Sequence, residues 1–371
     1  MKHLVFAGGG HAHLHVLKTL AGQRWPDVEV TLVTPYSRQI YSGMVPGWMA
    51  GHYRLDQCAA ALGPLATAAG VRCLIDSVTG IDAARRTLRT ASHGEISYDV
   101  LSLDVGARVD SSMLADSGAS LLAIRPLEEF VVAWQRFVDA AGARGAARLA
   151  VVGGGAAGVE LALAARYRLA REIGAAAADV ILVTGSGLLP GHGPAIVGMA
   201  GKALARHGVT VVAGYAAGSR EGLQLDDGSS LAADGIIAAT GVRPAEWLAG
   251  SGLALAADGF IAVGDGQQSV SHPEVFAAGD VASRIDAPHA KSGVYAVRAG
   301  PVLSANLQRA LAGQPIQPYQ PQRRSLYLLA TGPQEAIMSW GGIAAGGAWA
   351  WHWKDWIDRR FMRQYKELAS A

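Results

Sequence analysis

Two glycine runs lie far apart in the chain, Ala7-Gly8-Gly9-Gly10-His11-Ala12-His13 and Val152-Gly153-Gly154-Gly155-Ala156-Ala157-Gly158-Val159-Glu160. A glycine turn between a strand and a helix lets backbone N–H groups approach an anion with no Cβ in the way. The helix N-terminus adds a partial positive charge. Each run follows an apolar stretch, Leu4-Val5-Phe6 or Leu149-Ala150-Val151-Val152, and leads into a segment of helical period. That context makes a glycine turn a pyrophosphate cradle, and two cradles imply two dinucleotides. Gly8, Gly10 and His11 would line the first, and Gly153, Gly155 and Gly158 the second. A third feature is Val275-Phe276-Ala277-Ala278-Gly279-Asp280, an apolar strand ending in Gly279 and Asp280. It places a carboxylate at the carboxyl edge of a parallel sheet, where it can accept hydrogen bonds from sugar or ribityl hydroxyls.

The elements needed to position these residues repeat. Residues 3–34 read strand, glycine turn, helix (Leu14, Leu17, Leu20) and strand (28–33), a mononucleotide-binding βαβ half. Residues 148–184 repeat the unit, with a strand at 148–152, a helix at 156–172, a loop at 174–178 and a strand at 180–183. Two later apolar strands, within 234–241 and 275–280, read as returning to the first domain. The expected fold is α/β: two Rossmann-like dinucleotide-binding domains, the second inserted in the first, plus a small C-terminal cap. The corresponding boundaries are 1–112 with 238–312, then 113–237, then 313–371.

Bulk properties narrow the function. With 371 residues the chain can bury two cores, and its 17% charged residues and 47 glycines suit buried parallel strands. A formal net charge of +2 is too mild to imply a nucleic-acid partner. Cys58 and Cys73 are the only cysteines, which excludes a disulfide framework and a four-thiolate metal site. A reducing, cytoplasmic setting is the default. The first strand starts too early to leave room for a signal peptide, and the uncharged tract at 336–353 carries too many glycines for a spanning helix.

The order of first glycine turn, second turn, Ala239-Thr240-Gly241-Val242-Arg243-Pro244 and Val275-Phe276-Ala277-Ala278-Gly279-Asp280 resembles the two-dinucleotide flavoproteins of the pyridine nucleotide-disulfide oxidoreductase superfamily. The resemblance covers nearly the whole chain. Gly8-Gly9-Gly10-His11-Ala12-His13, the stretch 41–47 (Tyr-Ser-Gly-Met-Val-Pro-Gly) and the tail at 351–361 are closest to the flavoprotein domain associated with selenide, water dikinase. Type II NADH dehydrogenases and sulfide:quinone oxidoreductases are relatives of that branch. The resemblance implies FAD on the first turn and NAD(P)H on the second, with Asp280 on the ribityl chain, Ser42 in the stretch facing the flavin and Gly241 in the Ala-Thr-Gly turn. A helix opening near Lys291 would aim its N-terminus at the pyrimidine edge of the flavin. Glu160 and Lys291 are the candidate catalytic residues, Glu160 for nicotinamide placement or proton relay.

The sequence also departs from that pattern. Thr34 and Thr184 stand where a ribose-binding acid is usual, each expected to donate one hydrogen bond, so NADH and NADPH are not distinguished. His13 replaces the third glycine of the first turn, which predicts looser helix–strand packing. His11, His13 and His15 carry no zinc-protease glutamate, and no metal is expected; His11 reads as a donor to the FAD phosphate or the flavin edge. No thiol lies in 41–47, and Cys58, in an expected helix at 55–62, and Cys73, in a strand at 71–75, read as small buried residues.

The tail predicts a strand pair (325–330 and 335–340), a glycine linker and an amphipathic helix. Trp349, Trp353, Trp356, Phe361 and Tyr365 fall near one face of that helix, and Asp355, Asp358, Arg359, Arg363 and Lys366 opposite. That helix packs on the flavin domain, pairs with a second copy, or lies at the inner membrane face, with the first two favoured over the third. The expected function is an FAD-dependent NAD(P)H oxidoreductase passing electrons to a quinone or another small acceptor without a redox-active disulfide. The alternatives are a flavoprotein reductase or oxidase of sulfur or selenium species, and a nucleotide-dependent binding protein.

Overall fold

A computed structural model describes residues 1–322 and 324–370. Of the cap expected at 313–371, Arg323 and Ala371 therefore lie outside the described residues. The strand Lys2–Ala7 is central in a parallel sheet of five, in the order Val275–Ala277, Val100–Leu103, Lys2–Ala7, Val28–Thr34, Arg72–Ile75. The second sheet repeats the plan: Ser120–Ala123, Gly235–Ala238, Ala147–Val152, Ala178–Thr184, Val209–Ala213. Strands covered on both faces need apolar side chains throughout. Leu4, Val5 and Phe6 in one sheet and Leu149, Ala150 and Val151 in the other are accordingly buried. The strand within 234–241 thus belongs to the second sheet, and only the one within 275–280 joins the first. Both are short apolar runs, and long-range pairing alone decides which sheet each enters.

The first turn feeds the helix His11–Gly22, which packs on the helix Gly293–Leu311 so closely that a Cβ at Gly300 would lie 2.7 Å from His15 Cβ. The second feeds the helix Ala156–Ile173. The region around Cys58 is not the expected helix: a short turn, Leu55–Gln57, gives way to a strand, Ala59–Ala61, paired antiparallel with Arg38–Ile40. That pairing overrides the local helical pattern.

The cap differs from expectation in two ways. What reads as a glycine linker is a third strand, Ile343–Gly347, antiparallel to Ala336–Trp340, which in turn pairs with Tyr327–Ala330. The C-terminal helix, Ala348–Ser370, buries Ala350, Trp351, Asp358, Met362 and Tyr365, whereas Trp349, Trp353 and Trp356 face outward. The buried stripe includes a charged pair, so a purely apolar count assigns the faces wrongly. Among the described residues no helix is long and apolar enough to cross a membrane.

Candidate nucleotide-binding site

At the first turn, Gly8 takes φ +88° and its N–H donates to Val33 O at 2.8 Å, closing the turn in a conformation that favours glycine. Gly10 begins the helix, and Leu14 N–H donates to its carbonyl at 3.0 Å. The carboxylate of Asp104, just past the strand Val100–Leu103, lies under this helix start. Its Oδ2 accepts the N–H groups of Ala12 (2.8 Å) and His13 (3.1 Å). A Cβ at Gly10 would lie 2.3 Å from Asp104 Oδ1, and one at Gly279 2.6 Å from the same oxygen. The missing side chains therefore make room for a carboxylate of the protein itself. Burial pushes the Asp104 carboxyl up to about 7, against the two backbone N–H bonds that favour its charge. Asp104 belongs to none of the sequence motifs; its signal is the internal repeat, in which it takes the place of Ala239.

His13 does not loosen the packing. The ring is fully buried, with Nδ1 2.6 Å from Gly8 O and Nε2 2.8 Å from Ser102 Oγ, against Phe6 at 4.7 Å between centroids. It fills the space a glycine would leave and ties the turn to the neighbouring strand. Burial holds it neutral, with its pKa lowered to about 4. His11 is also buried and its pKa lowered to about 4, by burial and then by the charge of Arg125. Its ring lies beside the contacting pair Tyr41 and Phe361, and among the described residues its Nε2 has no hydrogen-bond partner.

Asp280 Oδ2 is 2.5 Å from Arg125 Nη1, and the pair is largely shielded from water. Among the described residues Asp280 Oδ1, Gln267 Oε1 and His11 Nε2 are buried without a hydrogen-bond partner. Buried polar atoms are rarely left so, and this group of donors and acceptors suits the hydroxyls and diphosphate of FAD. Ser42 Oγ meets the start of the helix Gly293–Leu311, 2.8 Å from where a Gly293 Cβ would stand. Lys291 lies just before that helix, its Nζ donating to Ala282 O and Ser283 Oγ at 2.9 Å each and standing 3.6 Å from Asp258. Those partners occupy its ammonium.

The second turn is more open. A Cβ at Gly153 would lie 2.2 Å from Ala239 O and one at Gly158 1.8 Å from Gly153 O, whereas among the described residues one at Gly155 meets nothing within 4 Å. The helix start at Gly155 is thus free to receive a diphosphate. Thr184 is buried and its Oγ1 donates to Val212 O at 3.4 Å, so its hydroxyl is not offered to a ribose. Thr34 is likewise buried at the end of its strand. Gly241 O accepts from Asp110 N at 2.9 Å, where the chain crosses between the two sheets.

Glu160 meets the C-terminal cap. It lies one turn into the second-turn helix, and its Oε1 accepts from Ala330 N at 2.8 Å. Lys354, on the C-terminal helix, donates to Gly43 O at 2.6 Å and to Asp358 Oδ2 at 2.8 Å. Burial pushes the Glu160 carboxyl up to about 7, with the Lys354 charge opposing. Burial alone would lower the Lys354 pKa, but the carboxylates of Asp358 and Glu160 outweigh it and the ammonium stays charged. Tyr41, which hydrogen-bonds Asp358, is held protonated by burial and by that carboxylate. The cysteines do not take part: Cys58 is buried, its thiol pushed up to about 12 and donating to Arg54 O at 3.5 Å, and the Cys73 pKa is also raised by burial. Among the described residues no cluster could hold a metal.

Comparison with known proteins identifies the family. The family described as pyridine nucleotide-disulphide oxidoreductase matches residues 2–300. An NADH dehydrogenase-like protein of Mycobacterium tuberculosis is 29% identical over 254 residues, covering 63% of this chain and 61% of that protein. The ferredoxin–NAD(+) reductase component of the biphenyl dioxygenase system of Paraburkholderia xenovorans is 31% identical over 216 residues, covering 56% of this chain and 49% of its own. The chain thus spans 61% and 49% of the length of these two relatives. The sulfide:quinone oxidoreductase of Aquifex aeolicus superposes with a TM-score of 0.80 at 17% identity, over 99% of this chain and 92% of that one, a likeness of fold.

Proposed function

Because the chain belongs to the pyridine nucleotide-disulphide oxidoreductase family, with FAD and NAD(P)H as cofactors, we propose that it is an NAD(P)H oxidoreductase that delivers electrons to a quinone or another small acceptor without a redox-active disulfide. FAD, when bound, supplies the two-electron chemistry between nicotinamide and acceptor. Gly8, Gly10 and His11, with Asp280 and Ser42, would hold it, and Gly153, Gly155 and Gly158 would hold the nicotinamide dinucleotide.

The observation that carries this reading is the junction of Glu160, Lys354 and Gly43, where the second-turn helix meets the stretch 41–47 of the first domain. Reduction of a quinone takes two electrons and two protons, of which the nicotinamide supplies both electrons and one proton. We assign the second to Glu160, whose carboxyl, held near 7, can give a proton at neutral pH and regain it from water. Lys354 fixes the Gly43 carbonyl and keeps the Glu160 carboxyl from rising further. The buried, high-pKa thiol of Cys58 supports a route without thiol chemistry.

The test is the pH profile of acceptor reduction. A wild-type rate that falls above about pH 7, and a slower, flat profile for Glu160→Gln, support the proton role. An unchanged profile in the variant overturns it.

A further inference from the structure

The two halves of the molecule provide an internal control. Asp104 N–H donates to Ala7 O at 2.8 Å, and Ala239 N–H donates to Val152 O at 2.9 Å. Leu103 pairs with Ala7, and Ala238 with Val152. Asp104 and Ala239 therefore occupy the same place in two copies of one frame, just past the strand beside the central strand. That is the switch point at which open α/β sheets bind ligands. One half carries a methyl group there and leaves Gly155 open; the other carries a carboxylate that fills the space at Gly10 and Gly279.

The two oxygens of that carboxylate differ. Oδ2 accepts both helix N–H groups, whereas Oδ1 is the oxygen turned toward Gly279 and accepts no hydrogen bond among the described residues. The titratable and charged groups around it are His11 and His13 on the first helix, Asp280 beyond Gly279, Arg125 paired with Asp280, and Lys291 ahead of the Gly293–Leu311 helix. Both histidines are held neutral by burial, Arg125 is turned to Asp280, and Lys291 is held by Ala282, Ser283 and Asp258. Asp280 adds a like charge that disfavours ionised Asp104. A diphosphate at the first turn would add more negative charge beside Oδ1.

We propose that Asp104 makes FAD binding proton-linked: the first turn accepts the FAD diphosphate when Asp104 Oδ1 carries a proton, so binding draws one proton from solvent onto that oxygen whenever the free protein has lost it. This rests on the assignment of FAD to the first turn. The burial that lifts the Asp104 carboxyl toward neutrality places the transition in an accessible range. Below it the group is already protonated and affinity is constant; above it each bound FAD must restore a proton, and affinity falls by about tenfold per pH unit. At the equivalent place the second turn has Ala239, whose side chain does not titrate.

The experiment is FAD binding to apoprotein between pH 6 and 8.5, read by quenching of flavin fluorescence. Calorimetry in two buffers of different ionisation heat then counts the protons taken up. The wild type should lose affinity above about pH 7, with uptake approaching one proton per FAD, while Asp104→Asn stays flat with none. Asp104→Ala, which copies the residue of the second half, is the companion variant should the asparagine protein not fold, and is expected to be flat as well. A flat wild-type affinity, or a slope kept in the variants, overturns the proposal while leaving FAD at the first turn. Failure to bind FAD at any pH would overturn the assignment itself, and the proposal with it.

Discussion

Replacing Lys354 by methionine removes the cation between Glu160 and Asp358 while keeping most of the apolar stem. The Lys354 side chain is 13% exposed and that of Asp358 4%, so water cannot take over the lost interaction. Asp358 is left as a buried charge, and Gly43 O loses the donor held at 2.6 Å. Removing one member of a buried pair costs about 3–5 kcal/mol. Asp358 keeps the Tyr41 hydroxyl, so the low end, about 3 kcal/mol, is expected, a sizeable share of a typical domain's stability. Pairing the change with Asp358→Asn removes the orphaned charge and should return roughly 2 kcal/mol. Urea unfolding of wild type, both single variants and the double variant gives the coupling directly. Because the Lys354 charge holds the Glu160 carboxyl down, its loss should also move the alkaline limb of the pH–rate profile upward from about 7. Additive single-variant effects, or a pH limb that stays in place, would refute the argument.

Two further outcomes follow from the same geometry. Gly155→Ala should fold as the wild type, because among the described residues its Cβ meets nothing within 4 Å, yet weaken NAD(P)H binding, seen as a raised KM with little change in stability. The double variant Cys58→Ala/Cys73→Ala should keep the wild-type rate of flavin reduction and of acceptor turnover. Loss of turnover with flavin content intact would restore a thiol route.

The parts of the fold legible in the sequence are those set by local pattern. The two turns and the strands and helices around them combine apolar runs with glycines at fixed spacing, and each stands where expected. The sheet entered by 235–238 was not legible, because an apolar run of that length fits the centre of either sheet. Asp358 reads with Asp355, Arg359, Arg363 and Lys366 as the face opposite the aromatics; its burial against Lys354 depends on Gly43 and Glu160, which are distant in sequence. His13 read as a flaw in the glycine pattern because its partner, Ser102, comes from another strand. Thr184 read as a ribose donor, but its hydroxyl bonds to Val212 O of the adjacent strand.

The central claim is that NAD(P)H at the second turn reduces FAD at the first and that the electrons leave to a small acceptor without passing through thiols. Anaerobic rapid mixing of the flavin-loaded protein with NADH and, separately, with NADPH, followed by addition of a soluble quinone, addresses each part. Bleaching of the flavin by at least one nucleotide within the turnover time, then reoxidation by quinone at a rate unchanged after thiol alkylation, is the expected result. A flavin that neither nucleotide reduces, but that sulfide or selenide does, would contradict it.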